Sequence, residues 1–215
     1  MKRIKETVLD LLFPPRCAIC GEHGVHGICA SCEKALPWCD TPFHERAGIG
    51  RCVAPLRYEG TLREGLLRYK FRGGRGSAEG FGRILTQCVA EQLGGQFDLV
   101  TYVPVSDRRK RERGYDQAYL LAREMCRTWG IEPAVLLKKT RDNPAQSSLK
   151  GVEARKANVL GVYEAIRTDE IRGARILLVD DILTTGATLR ECVRVLTAAG
   201  AESVLCATLA ASDEK

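Results

Sequence analysis

Residues Arg175 to Thr188 read RILLVDDILTTGAT, an apolar run that ends in two adjacent carboxylates and passes into a Thr/Gly turn. Ile176 to Val179 is short, branched and apolar enough for a buried strand, and Leu189, Val193, Leu196 and Thr197 then follow a helical spacing that stops at Gly200. The segment between them is therefore a strand-to-helix turn. Such a turn aims free backbone N–H groups at one point beside the positive end of a helix. Thr184, Thr185, Gly186, Ala187 and Thr188 thus form a candidate phosphate cradle, with hydroxyls adding donors and Gly186 allowing close approach. Asp180 and Asp181 lie at the carboxyl end of the strand, about one sugar away, where ionised carboxylates accept hydrogen bonds from two ribose hydroxyls. The plainer alternative, an acidic turn that only caps a helix, leaves the doubled acid and the complete loop unexplained.

The other dense pattern lies near the start. Ten cysteines occur in 215 residues, and four of them form Cys17-x2-Cys20-x8-Cys29-x2-Cys32. Each C-x2-C pair can make a knuckle whose thiolates face one metal, and two knuckles close a tetrahedral all-sulfur shell, so a structural Zn2+ is expected on Cys17, Cys20, Cys29 and Cys32. Metal binding would supply folding free energy to a segment with few large apolar residues. Four unrelated reduced thiols are the alternative, and His23 and His26 are read as loop residues outside the shell. Cys39 and Cys52 have no x2 partner, which makes a second complete site doubtful, while Cys88, Cys126, Cys192 and Cys206 sit in apolar patterns as small core residues. Met1 to Phe13 has helical spacing, but Glu6 and Asp10 interrupt any signal-peptide apolar core and Pro14-Pro15 ends the segment, so it reads as neither a signal peptide nor a membrane span. No apolar run approaches the roughly 20 residues needed to cross a bilayer, so a soluble cytoplasmic protein without membrane insertion is the expectation.

A composition of 45% hydrophobic and 28% charged residues suits one globular α/β unit with a small appendage, and the boundary is placed so that residues 1–57 hold the cysteine module and 58–215 the main domain. Helices are predicted near Leu62 to Lys70, Ala78 to Leu93 and Gln117 to Trp129, and strands near Leu99 to Val103, Ala134 to Leu137, Ile176 to Val179 and Ser203 to Thr208. Strands separated by helices imply a parallel sheet flanked by helices. The net charge of +6 favours phosphorylated ligands or nucleic acid, and its placement says more than its size. A basic loop with Ser106, Arg108, Arg113 and Gly114 leaves the same sheet edge as the acid pair and suits pyrophosphate; a solvated basic turn is the bland reading. Lys139 to Lys150 is polar and aperiodic, a loop from which Arg141 and Gln146 could reach a ligand. Arg68, Lys70, Arg72 and Arg75 interleave with Tyr69 and Phe71, a mixture of phosphate contacts and stacking faces that single strands favour, unless the aromatics are core.

The segment RILLVDDILTTGAT closely resembles the 5-phosphoribosyl-1-diphosphate (PRPP) motif of type I phosphoribosyltransferases. Together with the four-cysteine ribbon, YEGTLREGLLRYKFRG, VPV...RERGYDQA and RDNPAQSSL...ARKANV, it makes nearly the whole chain similar to the ComF family, also called ComFC/GntX. Two features depart from that family: Asp116 stands where Asn is common, and a second C-x2-C set is reduced to Cys39 and Cys52. The resemblance implies a type I phosphoribosyltransferase-like fold that binds PRPP with Mg2+, with Asp180 and Asp181 as the pair at the reacting ribose and the zinc module as a hood. It further implies a role in natural transformation through single-stranded DNA, alongside a competence helicase. The alternative it leaves is an active Mg-dependent transferase acting on a nucleobase or amine.

Overall fold

The computed structural model describes residues 15–71, 74–142 and 160–212, with the backbone alone at 74 and 75. The helix expected over Met1 to Phe13, Gln146, Arg72 and the Arg75 side chain fall outside the described residues. The first elements are helix α1 (Ala30–Lys34), strands β1 (Phe43–Arg46), β2 (Gly50–Val53) and β3 (Leu56–Arg57), and helices α2 (Gly60–Phe71) and α3 (Ala78–Leu93). Strand β4 (Leu99–Tyr102), helices α4 (Asp107–Arg113) and α5 (Gln117–Trp129), and strands β5 (Leu137–Lys139) and β6 (Tyr163–Ala165) follow. Helix α6 (Thr168–Ile171), strand β7 (Arg175–Leu183), helix α7 (Ala187–Ala198) and strand β8 (Ser203–Ala211) complete the order.

The apolar run in β7 is continuous because both its faces are covered: Ile176, Leu177, Leu178 and Val179 are all fully buried. Alternation along the strand divides them. Leu177 and Val179 pack with residues of α2, α3 and α5, whereas Ile176 and Leu178 pack with Leu189, Cys192 and Leu196 of α7. The sheet order is β1-β2-β8-β7-β4, with β3 also on β8; β4, β7, β8, β2 and β3 run parallel and β1 closes the edge antiparallel to β2. The register Tyr102↔Val179 brings the carboxyl ends of β4 and β7 side by side, as the predicted parallel sheet requires.

Two sequence expectations are corrected. The strand placed at Ala134 to Leu137 is not a member of the main sheet. Ala134 donates one backbone hydrogen bond to Val100 O at 2.8 Å, after which Leu137–Lys139 pairs antiparallel with Tyr163–Ala165. A short apolar run shows that a strand is buried without showing which strand it meets. The basic loop after β4 is instead mostly helix α4, capped by Ser106, whose Oγ accepts from Arg109 N at 3.4 Å, and ended by Gly114 at φ 79°. None of its residues is buried, so periodicity could not reveal it.

The cysteine knuckles share a core with α2 and α3. Cys17, Ala18, Ile19 and Ile28 belong to the same buried cluster as Leu62, Leu66, Phe81 and Leu85. Contact is close enough to demand glycine: a Cβ on Gly65 would stand 2.9 Å from Ala18 O, and one on Gly80 would stand 2.9 Å from Gly27 Cα.

Candidate functional site

At the carboxyl edge of β4 and β7 lies a cleft of about 340 Å³, lined on one side by Asp180, Asp181, Thr184 and Thr188. Asp180 Oδ1 accepts from the Asp181 backbone N–H at 2.8 Å, and Asp181 Oδ1 stands 2.9 Å from Lys70 Nζ, which α2 delivers from across the cleft. Burial, followed by the charge of Asp181, pushes the Asp180 carboxyl above the usual carboxylate range. Burial alone would lower Lys70, but Asp181 and Asp180 outweigh it and hold the amine above its ordinary value. The Thr/Gly turn follows, with Gly186 at φ 69° opening α7, whose first N–H groups have no partner within the helix. Thr185 Oγ1 is buried there without a hydrogen-bond partner among the described residues. Behind the turn Ile49, buried at the tip of the β1–β2 hairpin, fills the space beside Gly186, where an added Cβ would come within 2.3 Å of its Cδ1.

The facing side is cationic. Arg63, Lys70, Arg109, Arg113 and Lys139 all line the cleft. Arg113 stacks over Phe71 at 4.7 Å, and burial followed by repulsion from Arg109 lowers its pKa. Lys139 lies 5.4 Å from the Tyr163 ring centroid, and burial, then Arg109, holds its amine down at about 8. The string RGYDQA supplies the framework. Tyr115 OH donates to Tyr69 O and Tyr69 OH donates to Gln117 O at 2.8 Å, locking the end of α2 to the start of α5. Asp116 is buried and accepts two backbone N–H groups, Val105 at 2.9 Å and Tyr119 at 3.2 Å, one on each oxygen. In an asparagine held the same way one of these two positions would be an NH2 group, a donor facing another N–H.

Sequence reading placed Asp180, Asp181, Thr184, Thr188 and Arg113 here, and the structure brings them together. Arg108 points elsewhere, pairing with Asp142 at 3.0 Å and Glu112 at 3.4 Å. Arg141, expected to reach for ligand, donates to Gly161 O at 2.8 Å. Lys70, grouped with a nucleic-acid surface, is instead the partner of Asp181, while Tyr69 is core and Phe71 is half exposed. Arg109 belongs to the Arg108 to Arg113 run that the sequence reading gave to pyrophosphate, and it lines the cleft; Arg63 and Lys139 were missed, since nothing local distinguishes either.

The sulfur ligands of Cys17, Cys20, Cys29 and Cys32 all lie within 4.8 Å of one another, and Cys20 Sγ and Cys29 Sγ are 3.7 Å apart. A tetrahedral zinc with bonds of about 2.3 Å needs sulfurs roughly 3.8 Å apart, so the residues fit that ion. Cys29 N–H donates to Cys17 Sγ at 3.4 Å, a contact that favours thiolate. Neither His23 nor His26 joins the cluster. Among the described residues no helix is long and apolar enough to cross a membrane.

Comparison with known proteins yields two family matches, a double zinc ribbon domain over residues 8–60 and a phosphoribosyl transferase domain over residues 111–215. Competence protein ComFC of Bacillus subtilis is 29% identical over 84% of this chain and 70% of its own length. Competence protein F of Haemophilus influenzae is 28% identical over 88% of this chain and 82% of its own. The DNA utilization protein YhgH of Escherichia coli is 28% identical over 93% of this chain and all of its own length. Glutamine PRPP amidotransferase from B. subtilis overlaps 66% of this chain and 30% of that enzyme, at 22% identity and a TM-score of 0.46.

Proposed function

With a double zinc ribbon ahead of a phosphoribosyl transferase domain, the chain is a ComF-type protein, and we propose that it binds PRPP in the cleft between β7 and α2 and serves DNA uptake. The observation that carries the binding is the convergence, at one sheet edge, of a doubled acid, a Thr/Gly turn opening a helix, and a facing row of cations. Asp180 and Asp181 hold the ribose hydroxyls, Thr184 to Thr188 take the 5′-phosphate, and Arg109, Arg113 and Lys139 draw the diphosphate. The orphaned Thr185 hydroxyl fits a turn built to donate to an anion.

Magnesium would be carried largely by the ligand's diphosphate with the acid pair beside it, and it would supply charge neutralisation to the departing group. The chain's own contribution to any transfer is positioning and charge: carboxylates at the sugar and cations at the leaving phosphates, without a covalent nucleophile. The DNA role rests on the names of the relatives. Its surface is the exposed Phe71 with the outer arginines of α4, and a helicase is the expected neighbour. A nucleobase or amine transferase remains the second reading, favoured by the same row of cations at the leaving-group side.

Calorimetric titration of PRPP into the zinc-loaded chain, with and without Mg2+, tests the assignment beside the Asp180→Asn/Asp181→Asn double variant. Magnesium-dependent binding that is lost in the variant is expected. Retained affinity would overturn the site.

A further inference from the structure

The tip of the β1–β2 hairpin, Ala47, Gly48 and Ile49, lies within the double zinc ribbon match, yet among the described residues the cluster able to hold a metal is the tetrad that ends at Cys32. The tip is instead fastened behind the Thr/Gly turn. Ile49 N–H donates to Arg46 O at 3.0 Å and closes the hairpin, with Gly48 at φ 75°. From the first turn of α7, Arg190 Nε donates to Ala47 O at 2.7 Å, and its aliphatic stem lies so near that a Cβ on Gly48 would stand 3.1 Å from it. The backbone N–H of the same arginine donates to Gly186 O at 2.8 Å, the bond that opens the helix. On the other side, Arg46 Nη2 donates to Ser212 O at 3.1 Å, and Ser212 N–H donates to Leu183 O at 2.8 Å. The hairpin is thus tied to the chain just before the turn and to the helix just after it.

Ile49 fills the gap between these two ties. It is 1% exposed and belongs to the buried cluster of Leu183, Leu189 and Cys192, whereas Thr184 and Thr188 of the turn line the cleft. Ile49 therefore reaches the ligand side only through Gly186, whose added Cβ would strike its Cδ1. Gly186 depends on such support. It opens α7 at φ 69° without a side-chain cap hydrogen bond, and glycine has the widest backbone freedom of any residue. A turn built this way takes its shape from what is packed against it, and with its shape the direction of the N–H groups that follow.

We infer that the β1–β2 hairpin is a clamp on the anion turn, with Ile49 as its positioning residue: by bearing on Gly186, Ile49 sets the aim of the backbone N–H groups at the start of α7 and so governs affinity for a phosphate monoester that it does not touch. This rests on the reading of Thr184 to Thr188 as the 5′-phosphate cradle, and it gives the segment after the cysteine tetrad a part in that site. A hairpin serving stability alone would be indifferent to which ligand is offered. A clamp is selective. The cations Arg113 and Lys139 stand on α4 and β5, elements to which neither tie runs, so the diphosphate half of the cleft is spared when the clamp is loosened.

Ribose 5-phosphate and pyrophosphate, titrated separately with Mg2+ at fixed salt into the zinc-loaded full chain, read the two halves of the cleft. Ile49→Val removes only the methyl that bears on Gly186 and is mild enough to fold, while Ile49→Ala removes most of the support. Affinity for ribose 5-phosphate should fall roughly threefold in the first and roughly tenfold in the second, with pyrophosphate within about twofold of the parent. Ile49→Leu keeps the volume and should keep the affinity. Leu196→Ala deletes a fully buried side chain from the same cluster at the far end of α7, and should lower the melting temperature without weakening ribose 5-phosphate. Equal losses for the two ligands, a matching loss in Leu196→Ala, or unchanged ribose 5-phosphate affinity in both Ile49→Val and Ile49→Ala would overturn the clamp. If the parent binds no ribose 5-phosphate, the reading of the cradle falls and takes the clamp with it; binding by the parent that ignores Ile49 removes the clamp alone.

Discussion

At Gly186 two independent constraints meet in one residue. Its φ of 69° is left-handed, and a Cβ would stand 2.3 Å from Ile49 Cδ1. Gly186→Ala should cost about 1–2 kcal/mol for the backbone alone, with the contact to Ile49 added, and should distort the phosphate turn. Calorimetry with ribose 5-phosphate and a thermal melt would show both losses together. Lys139 sets a pH dependence whose sign follows from its amine titrating at about 8. The charged form, which attracts an anion, predominates below that pH and is lost above it, so affinity for pyrophosphate should fall as pH rises through 8. Lys139→Met should flatten that step, and a profile unchanged by the substitution would remove Lys139 from the anion site. Residue identities at the acid pair and the turn were legible in the sequence because their spacing is local. Arg63 and Lys139 were not, since each reaches the cleft only through the packing of its element.

Among the elements, α4 and α2 show opposite relations between pattern and structure. The seven residues of α4 bury nothing, so the helix left no hydrophobic period to read, and only its capping residues announce it. Helix α2 shows its core stripe in Leu62, Leu66 and Tyr69, yet its cleft-lining face could not be told from an ordinary solvated one until β7 was placed beside it. The contacts of α2 and α3 with the cysteine knuckles are backbone-to-backbone at Gly65 and Gly80. Gly80→Ala should therefore overpack the junction with Gly27 and destabilise the protein by about 1–3 kcal/mol, read as a lower urea midpoint. A midpoint within error of the parent would show that the knuckle yields freely.

For the molecule as a whole, the segment before residue 58 is joined to the remainder by two means. Its knuckles enter the α2–α3 core, and β2 and β3 pair with β8. Removing zinc with a chelator should consequently lower one cooperative melting transition and weaken PRPP binding through α2 and Lys70, instead of releasing a separate ribbon. Two resolved transitions in calorimetry would argue for independent units. By itself, the sequence determined what depends on neighbours along the chain: the cysteine tetrad at x2 spacings, the strand–acid–turn–helix unit and the parallel alternation of strands and helices. Only the tertiary structure decided which cations line the cleft, that Asp181 is neutralised from α2, and that Ile49 backs Gly186. Local spacing is fixed by the geometry of the backbone, whereas these partners stand from tens to more than a hundred residues apart and meet only because two buried faces of one sheet select what covers them.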